Sequence, residues 1–191
     1  MPNAARLRIA LIDVDSQPWR RIEVPLSLSL RVLHDSIQAA FQWTNSHLWE
    51  FSAGEQRYSD FMEDNDWSEE PVINAGKTSV ETIVKSGVTE FLYVYDFGDD
   101  WVHLITIEEL FDADPATKYP RYVDGQLAAP PADCGGPPGF EMFRDIIASP
   151  GHPEHAELLD WYGGPFDPED VEEEQIVTLM KRIANRRRKK P

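Results

Sequence analysis

The sequence is poor in cysteine, in basic charge and in long apolar runs. One cysteine, Cys134, in 191 residues excludes an internal disulfide framework and suits a reducing compartment. No stretch has the length and apolarity of a membrane span, and the N-terminal MPNAARLRIALIDVD lacks a signal-peptide core. The simplest expectation is a cytoplasmic protein with no membrane partner. Basic residues number 18 against 34 acidic, a net charge of −16, and seven of the 18 fall in the last eleven positions. The body is therefore strongly acidic, which disfavours contact between it and a phosphate backbone. Arg186, Arg187, Arg188, Lys189 and Lys190 form a basic tail, set apart from a single domain over residues 1–185. The tail could touch nucleic acid or an acidic protein, or remain a solvated helix end.

What is present is an aromatic, β-branched core. Glu90–Leu110 (EFLYVYDFGDDWVHLITIEEL) reads as a β-hairpin about Phe97-Gly98-Asp99-Asp100. A turn at Gly98-Asp99 pairs Asp96 with Trp101 and Val94 with His103, whereas an odd loop would shift that register. Both faces of the hairpin are largely apolar, which predicts a central position in a sheet covered on both sides. Arg6–Val14 and Trp19–Val24 read as an antiparallel pair of strands. Ser29 is a candidate N-cap for a helix over about 30–42, whose stripe is Leu30, Leu33, Ile37, Ala40 and Phe41. His34 lies beside that stripe as a half-buried packing residue.

A strand is expected over His47–Ala53. Thr78 and Glu81 make a capping-box pattern for a short helix to Lys85, stopped at Gly87. Glu63–Glu70 (EDNDWSEE) is dense in acid but lacks the glycine and the distant glutamate of a calcium loop. Beyond Leu110 a short strand is possible at Arg121–Val123. A Gly/Pro-rich loop then opens a helix near Phe140, another covers about 153–161, and Asp167-Pro168 begins a long C-terminal helix. Gly135-Gly136 resembles an anion cradle without the lysine of a phosphate loop. The fold class is α+β, a mainly antiparallel sheet around the hairpin of about 90–110, packed by several helices and helical toward its C-terminus.

The blocks YDFGDDWVH, ADCGGPPGFEMF and HPEH…W…FDP…V, with PWRRIEVP, LHDSIQAAFQW and HLWEF before them, closely resemble the plasmid pRi ORF-3-like family, also labelled transposon-passenger TnpR-like. The resemblance runs in order along nearly the whole chain up to the basic tail. It departs at Ala132, where the family often has glutamate, and at Phe140, where it often has tyrosine. It implies an association with mobile elements and brings no reaction with it.

The matched blocks carry the candidate polar site: Asp96, Asp99, Asp100, Trp101, His103, Asp133, Cys134, His152 and His155. Convergence of Asp96, His103, His152 and His155 would make a divalent-metal site capable of assisting hydrolysis. The competing reading has Asp96 holding the turn and His103 as a satisfied core histidine. Cys134 has no basic neighbour in sequence to activate it as a nucleophile. Two functions are thus in play. One is a non-enzymatic module that binds a protein or nucleic acid through an acidic, aromatic-rich surface and the basic tail; the other is a metal-dependent hydrolase.

Overall fold

The computed structural model describes residues 1–60 and 71–188, with Arg188 described by its backbone alone. The acidic stretch 63–70 and the tail residues Lys189 and Lys190 lie outside the described residues. In chain order the elements are β1 (Ala4–Leu11), β2 (Trp19–Pro25), α1 (Leu30–Phe41), β3 (Trp49–Ala53), β4 (Gln56–Ser59) and β5 (Val72–Asn74). There follow α2 (Val80–Lys85), β6 (Glu90–Tyr95), β7 (Trp101–Phe111), β8 (Arg121–Gln126), α3 (Gly136–Ile147), α4 (His155–Tyr162) and α5 (Glu173–Arg188). The strands form one sheet in the order β5-β4-β3-β6-β7-β1-β2-β8, antiparallel except for β4 and β5. The fold is α+β, and the β6–β7 hairpin is at its centre.

The register of that hairpin differs from the expected one. Tyr95 pairs with Trp101, Val94 with Val102 and Tyr93 with His103. Asp96 leaves the ladder, so the loop has five residues rather than two or four. The cause is local. Asp96 adopts a left-handed conformation (φ 58°), its Oδ1 accepts the amide of Gly98 at 3.0 Å, and its carbonyl accepts the amide of Asp100 at 2.6 Å. An aspartate tolerates this conformation because its side chain can replace the missing backbone partner. Phe91, Tyr93, Tyr95, Trp101, His103 and Ile105 consequently share one face and are all buried.

That face is the core. Leu7, Ile9 and Leu11 of β1 continue it, and the expected stripe of α1 lies on it with Leu30, Leu33, Ile37, Ala40 and Phe41 no more than 1 % exposed. Ser29 caps α1, its Oγ accepting the Val32 amide at 3.4 Å. Helix α5 packs beside α1 and reaches β8, burying Ile176, Met180 and Ala184. Each fully buried isoleucine, leucine, phenylalanine or methionine side chain stabilises the fold by about 1.5–3 kcal/mol.

The opposite face of the sheet is open, against the expectation of two covered faces. Leu92 is 37 % exposed, and Val94, Val102 and Leu104 are only partly covered. Ion pairs hold the strands there: Arg6 and Arg121 flank the carboxylate of Glu23 at 2.9 and 2.6 Å, and Arg21 bridges Glu108 and Asp124, each at 2.6 Å. Two helix starts also differ from expectation. Thr78 donates its hydroxyl to the carbonyl of Asn74, leaving Ser79 as N-cap of α2, so no capping box forms. Residues 165–172 are not helical. Asp167 and Asp170 each accept an amide two residues on, at 2.9 and 2.8 Å, and these two turns hold the chain out of the helix until Glu173.

Two histidines are sealed in the core. His34 and His103 are both 0 % exposed, and burial lowers the pKa of each to about 4. An unfolded chain would protonate them near pH 6.5. Between those values the unfolded state binds more protons, so stability is complete above pH 6.5 and falls as the pH drops toward 4. Urea denaturation followed from pH 7.5 to 4.5 should show a loss approaching ~3 kcal/mol per pH unit for the pair. His103→Leu should roughly halve that slope, and an unchanged slope would refute the assignment.

Candidate functional site

The turn of the β6–β7 hairpin, the segment between α1 and β3, and the loop before α3 meet at one end of the sheet. Pairing of Trp49 with Tyr95, together with donation of the Asp96 amide to the carbonyl of Leu48 at 2.8 Å, sets His47 beside the turn. His47 Nδ1 lies 3.3 Å from Asp96 Oδ2, and its Nε2 lies 3.3 Å from Asp133 Oδ1. The Asp96 side chain is 13 % exposed and that of Asp133 72 %, so the cluster runs from a half-buried base to open water. Donor atoms of His47, Asp96 and Asp133 all lie within 4.8 Å of one another.

Backbone geometry locks the pieces together. Asp100, Asp133, Gly135 and Gly136 share the positive φ of Asp96. At Gly136 (φ 67°) a Cβ would meet the carbonyl oxygen of Asp99 at 2.6 Å, so only glycine allows the loop to lie directly on the turn. The Gly135-Gly136 loop, which resembles an anion cradle, thus lies against the backbone of Asp99. Cys134 is packed beneath, and burial together with the Asp99 carboxylate pushes its thiol up to about 12. At neutral pH it stays protonated and is no nucleophile.

The structure gathers some of the residues singled out in the sequence and separates others. Asp96, Asp99, Asp100, Asp133 and Cys134 belong to this one corner. Trp101 is 1 % exposed and is a core residue. His103 points into the core, its Nδ1 donating to the carbonyls of Trp101 and Tyr93 at 3.0 and 3.3 Å, with the rings of Phe41 and Trp43 edge-on to it. Its Nε2 is buried without a hydrogen-bond partner. His152 and His155 sit at the start of α4, where His152 Nδ1 accepts the Glu154 amide at 3.2 Å. The expected set of Asp96, His103, His152 and His155 therefore does not assemble. Among the described residues, the three-donor group is His47, Asp96 and Asp133. Sequence reading missed His47; the available signal was that HLWEF would pair with EFLYVYD and bring the residue ahead of one strand to the residue after the other.

A second feature lies on the helical side. Helix α5 continues through Arg188, so Arg186 and Arg187 belong to a helix packed on α1 rather than to a detached tail. With Arg31 and Arg182 they line a groove of about 570 Å³ floored by Val32, Leu179 and Ile183. Arg31 is paired with Asp60 and Asp35. Arg182, Arg186 and Arg187 have no ion pair among the described residues, and burial lowers the pKa of Arg187 from its ordinary value.

Gly136→Ala should destabilise the protein by about 1–3 kcal/mol, read from the urea midpoint, because it adds a close contact to a left-handed backbone. Gly151→Ala, where a Cβ would meet nothing within 4 Å, should change the midpoint by no more than ~0.5 kcal/mol.

Among the described residues, no helix is long and apolar enough to cross a membrane. The uncharacterized protein y4hQ of Sinorhizobium fredii is 37 % identical to this chain over 161 residues, which cover 84 % of this chain and 81 % of that protein. The crystal structure of a protein of unknown function from Methanosarcina mazei superposes with a TM-score of 0.80 at 27 % identity, covering 91 % of this chain and 97 % of the other. Residues 3–175 match the family described as plasmid pRiA4b ORF-3-like protein, and the chain belongs to that family.

Proposed function

We propose that this protein is a non-enzymatic interaction module whose α1/α5 groove receives a short acidic, partly apolar segment of a protein partner. The observation that carries this reading is the groove itself: arginines stand above an apolar floor in a chain of net charge −16. Arg187 is already partly stripped of water, so an anion placed against it replaces solvation that folding has removed. A protein segment fits better than nucleic acid on two grounds. The acidic body repels a polyanion at long range, and the floor of Val32, Leu179 and Ile183 suits the side chains of an amphipathic helix rather than a phosphate backbone.

Fluorescence anisotropy with a labelled acidic amphipathic peptide and with labelled single- and double-stranded oligonucleotides tests this at two salt concentrations. The peptide should bind the wild type, and Arg182→Ala/Arg186→Ala should weaken it by about tenfold or more. Tighter binding of an oligonucleotide, with a steep loss in salt, would move the reading to nucleic acid. Retention by neither probe would overturn the groove as a binding site.

A second reading rests on His47, Asp96 and Asp133, whose donor types suit zinc or manganese. It stops at cation binding, because His103 is walled into the core and, among the described residues, His47, Asp96 and Asp133 are the donors that gather there. Zinc should then raise the unfolding midpoint of the wild type, with the shift lost in His47→Ala and kept in His155→Ala. No shift in the wild type would dismiss this reading.

A further inference from the structure

We propose that the cleft between the end of α1 and the α4–α5 connection binds a small organic cation, an alkylammonium or guanidinium compound. This site is separate from the arginine groove. The cleft has a volume of about 370 Å³, within the range that encloses a small molecule. Trp43 forms part of its base, Trp161 and Tyr162 stand on one side, and Asp167, Asp170 and Glu172 supply its charge.

The two rim aromatics are unusually open for their size, Trp161 at 49 % and Tyr162 at 39 %. They are nonetheless held in place. Phe143 packs edge-on against Trp161 at 5.9 Å, and Phe166 against Tyr162 at 5.3 Å. A braced, exposed ring presents its negative face without an ordering cost when a cation arrives. Asp167 and Asp170 each engage Oδ1 with an amide of their own turn, and no carboxylate of the three has a cationic partner among the described residues.

Charge and shape together select the ligand class. An anion is repelled by the three carboxylates and by the net charge of −16, which draws cations from a distance. A divalent metal needs donor atoms gathered at one point, and these three carboxylates form no such group. Strongly hydrated ions also gain little from an aromatic face. A guanidinium or alkylammonium group is weakly hydrated, stacks on indole and phenol rings, and leaves its N–H groups for the carboxylates.

The test is titration of the full chain with acetyl-arginine amide and with acetyl-citrulline amide, which has the same shape without the charge, followed by tryptophan fluorescence and calorimetry. The arginine compound should saturate one site, about tenfold tighter than its neutral analogue. Trp161→Ala should weaken it about fivefold or more, and Trp161→Phe less, since a ring remains. Asp170→Asn/Glu172→Gln should weaken it and flatten its salt dependence. Glu55→Gln, an exposed carboxylate outside the cleft, should leave it unchanged. Equal binding of the two compounds, no saturation up to about 10 mM, or wild-type affinity in the carboxylate variant would each overturn the proposal.

Discussion

The left-handed turn at Asp96 is the constraint on which the central sheet and its polar corner both rest. One carboxylate oxygen accepts the turn amides and the other faces His47. The first contact sets the register of β6 against β7, and with it the face on which Tyr93, Trp101 and His103 lie. A slip of one residue would reverse that face along one strand, exchanging the buried Trp101 and His103 for the half-exposed Val102 and Leu104. At about 1.5–3 kcal/mol for each buried side chain, no surface ion pair on the open face could compensate, since such pairs contribute about 0–1 kcal/mol each.

The register has a polar cost that the neighbouring elements offset. Tyr93 is completely buried, and its hydroxyl donates to His34 Nδ1 at 2.7 Å while accepting from Gln38 Nε2 at 3.1 Å. His34 Nε2 in turn donates to Asn45 Oδ1 at 2.7 Å, and its ring stacks on Trp49 at 4.1 Å. This chain ties α1 to β3 and β6 and fixes His34 as a neutral tautomer. Arg20 ties the other end of α1. Its Nε donates to the helix-terminal carbonyl of Ala40 at 3.0 Å, and its Nη1 donates to the carbonyls of Trp19 and Gln126. Burial lowers the pKa of Arg20 only to about 10, so it remains charged beside the negative end of α1.

Periodicity made the helical and strand content legible, because a stripe such as Leu30, Leu33, Ile37, Ala40 and Phe41 has one physical use. The central place of the hairpin followed from its aromatic density. Its register did not, since Phe97-Gly98-Asp99-Asp100 is compatible with an even or an odd loop until the conformation of Asp96 is known. The one-sided sheet was hidden because Leu92, Val94, Val102 and Leu104 are apolar yet stand among arginine–carboxylate ladders. An exposed leucine costs little, and alternation alone cannot report it. The candidate site was half legible: Asp96 and Asp133 stood out, whereas His47 becomes visible only once β3 is placed beside β6. His103 looked like a ligand because sequence carries no signal for which nitrogen a core carbonyl will engage.

The arginine groove and the acidic cleft share a wall, since Trp43 and Thr44 line both. Trp43 is 8 % exposed, donates its indole N–H to the carbonyl of Pro130 at 2.9 Å and stacks on Tyr95 at 5.1 Å. A side chain so held does not swing between the two sites, so any coupling between them must be electrostatic. Its sign follows from the charges. A cation in the cleft reduces the negative field that opposes an anion entering the groove, and by reciprocity an acidic segment in the groove strengthens cation binding in the cleft. The coupling would weaken with salt as the screening length shortens, whereas coupling through a moving tryptophan would not.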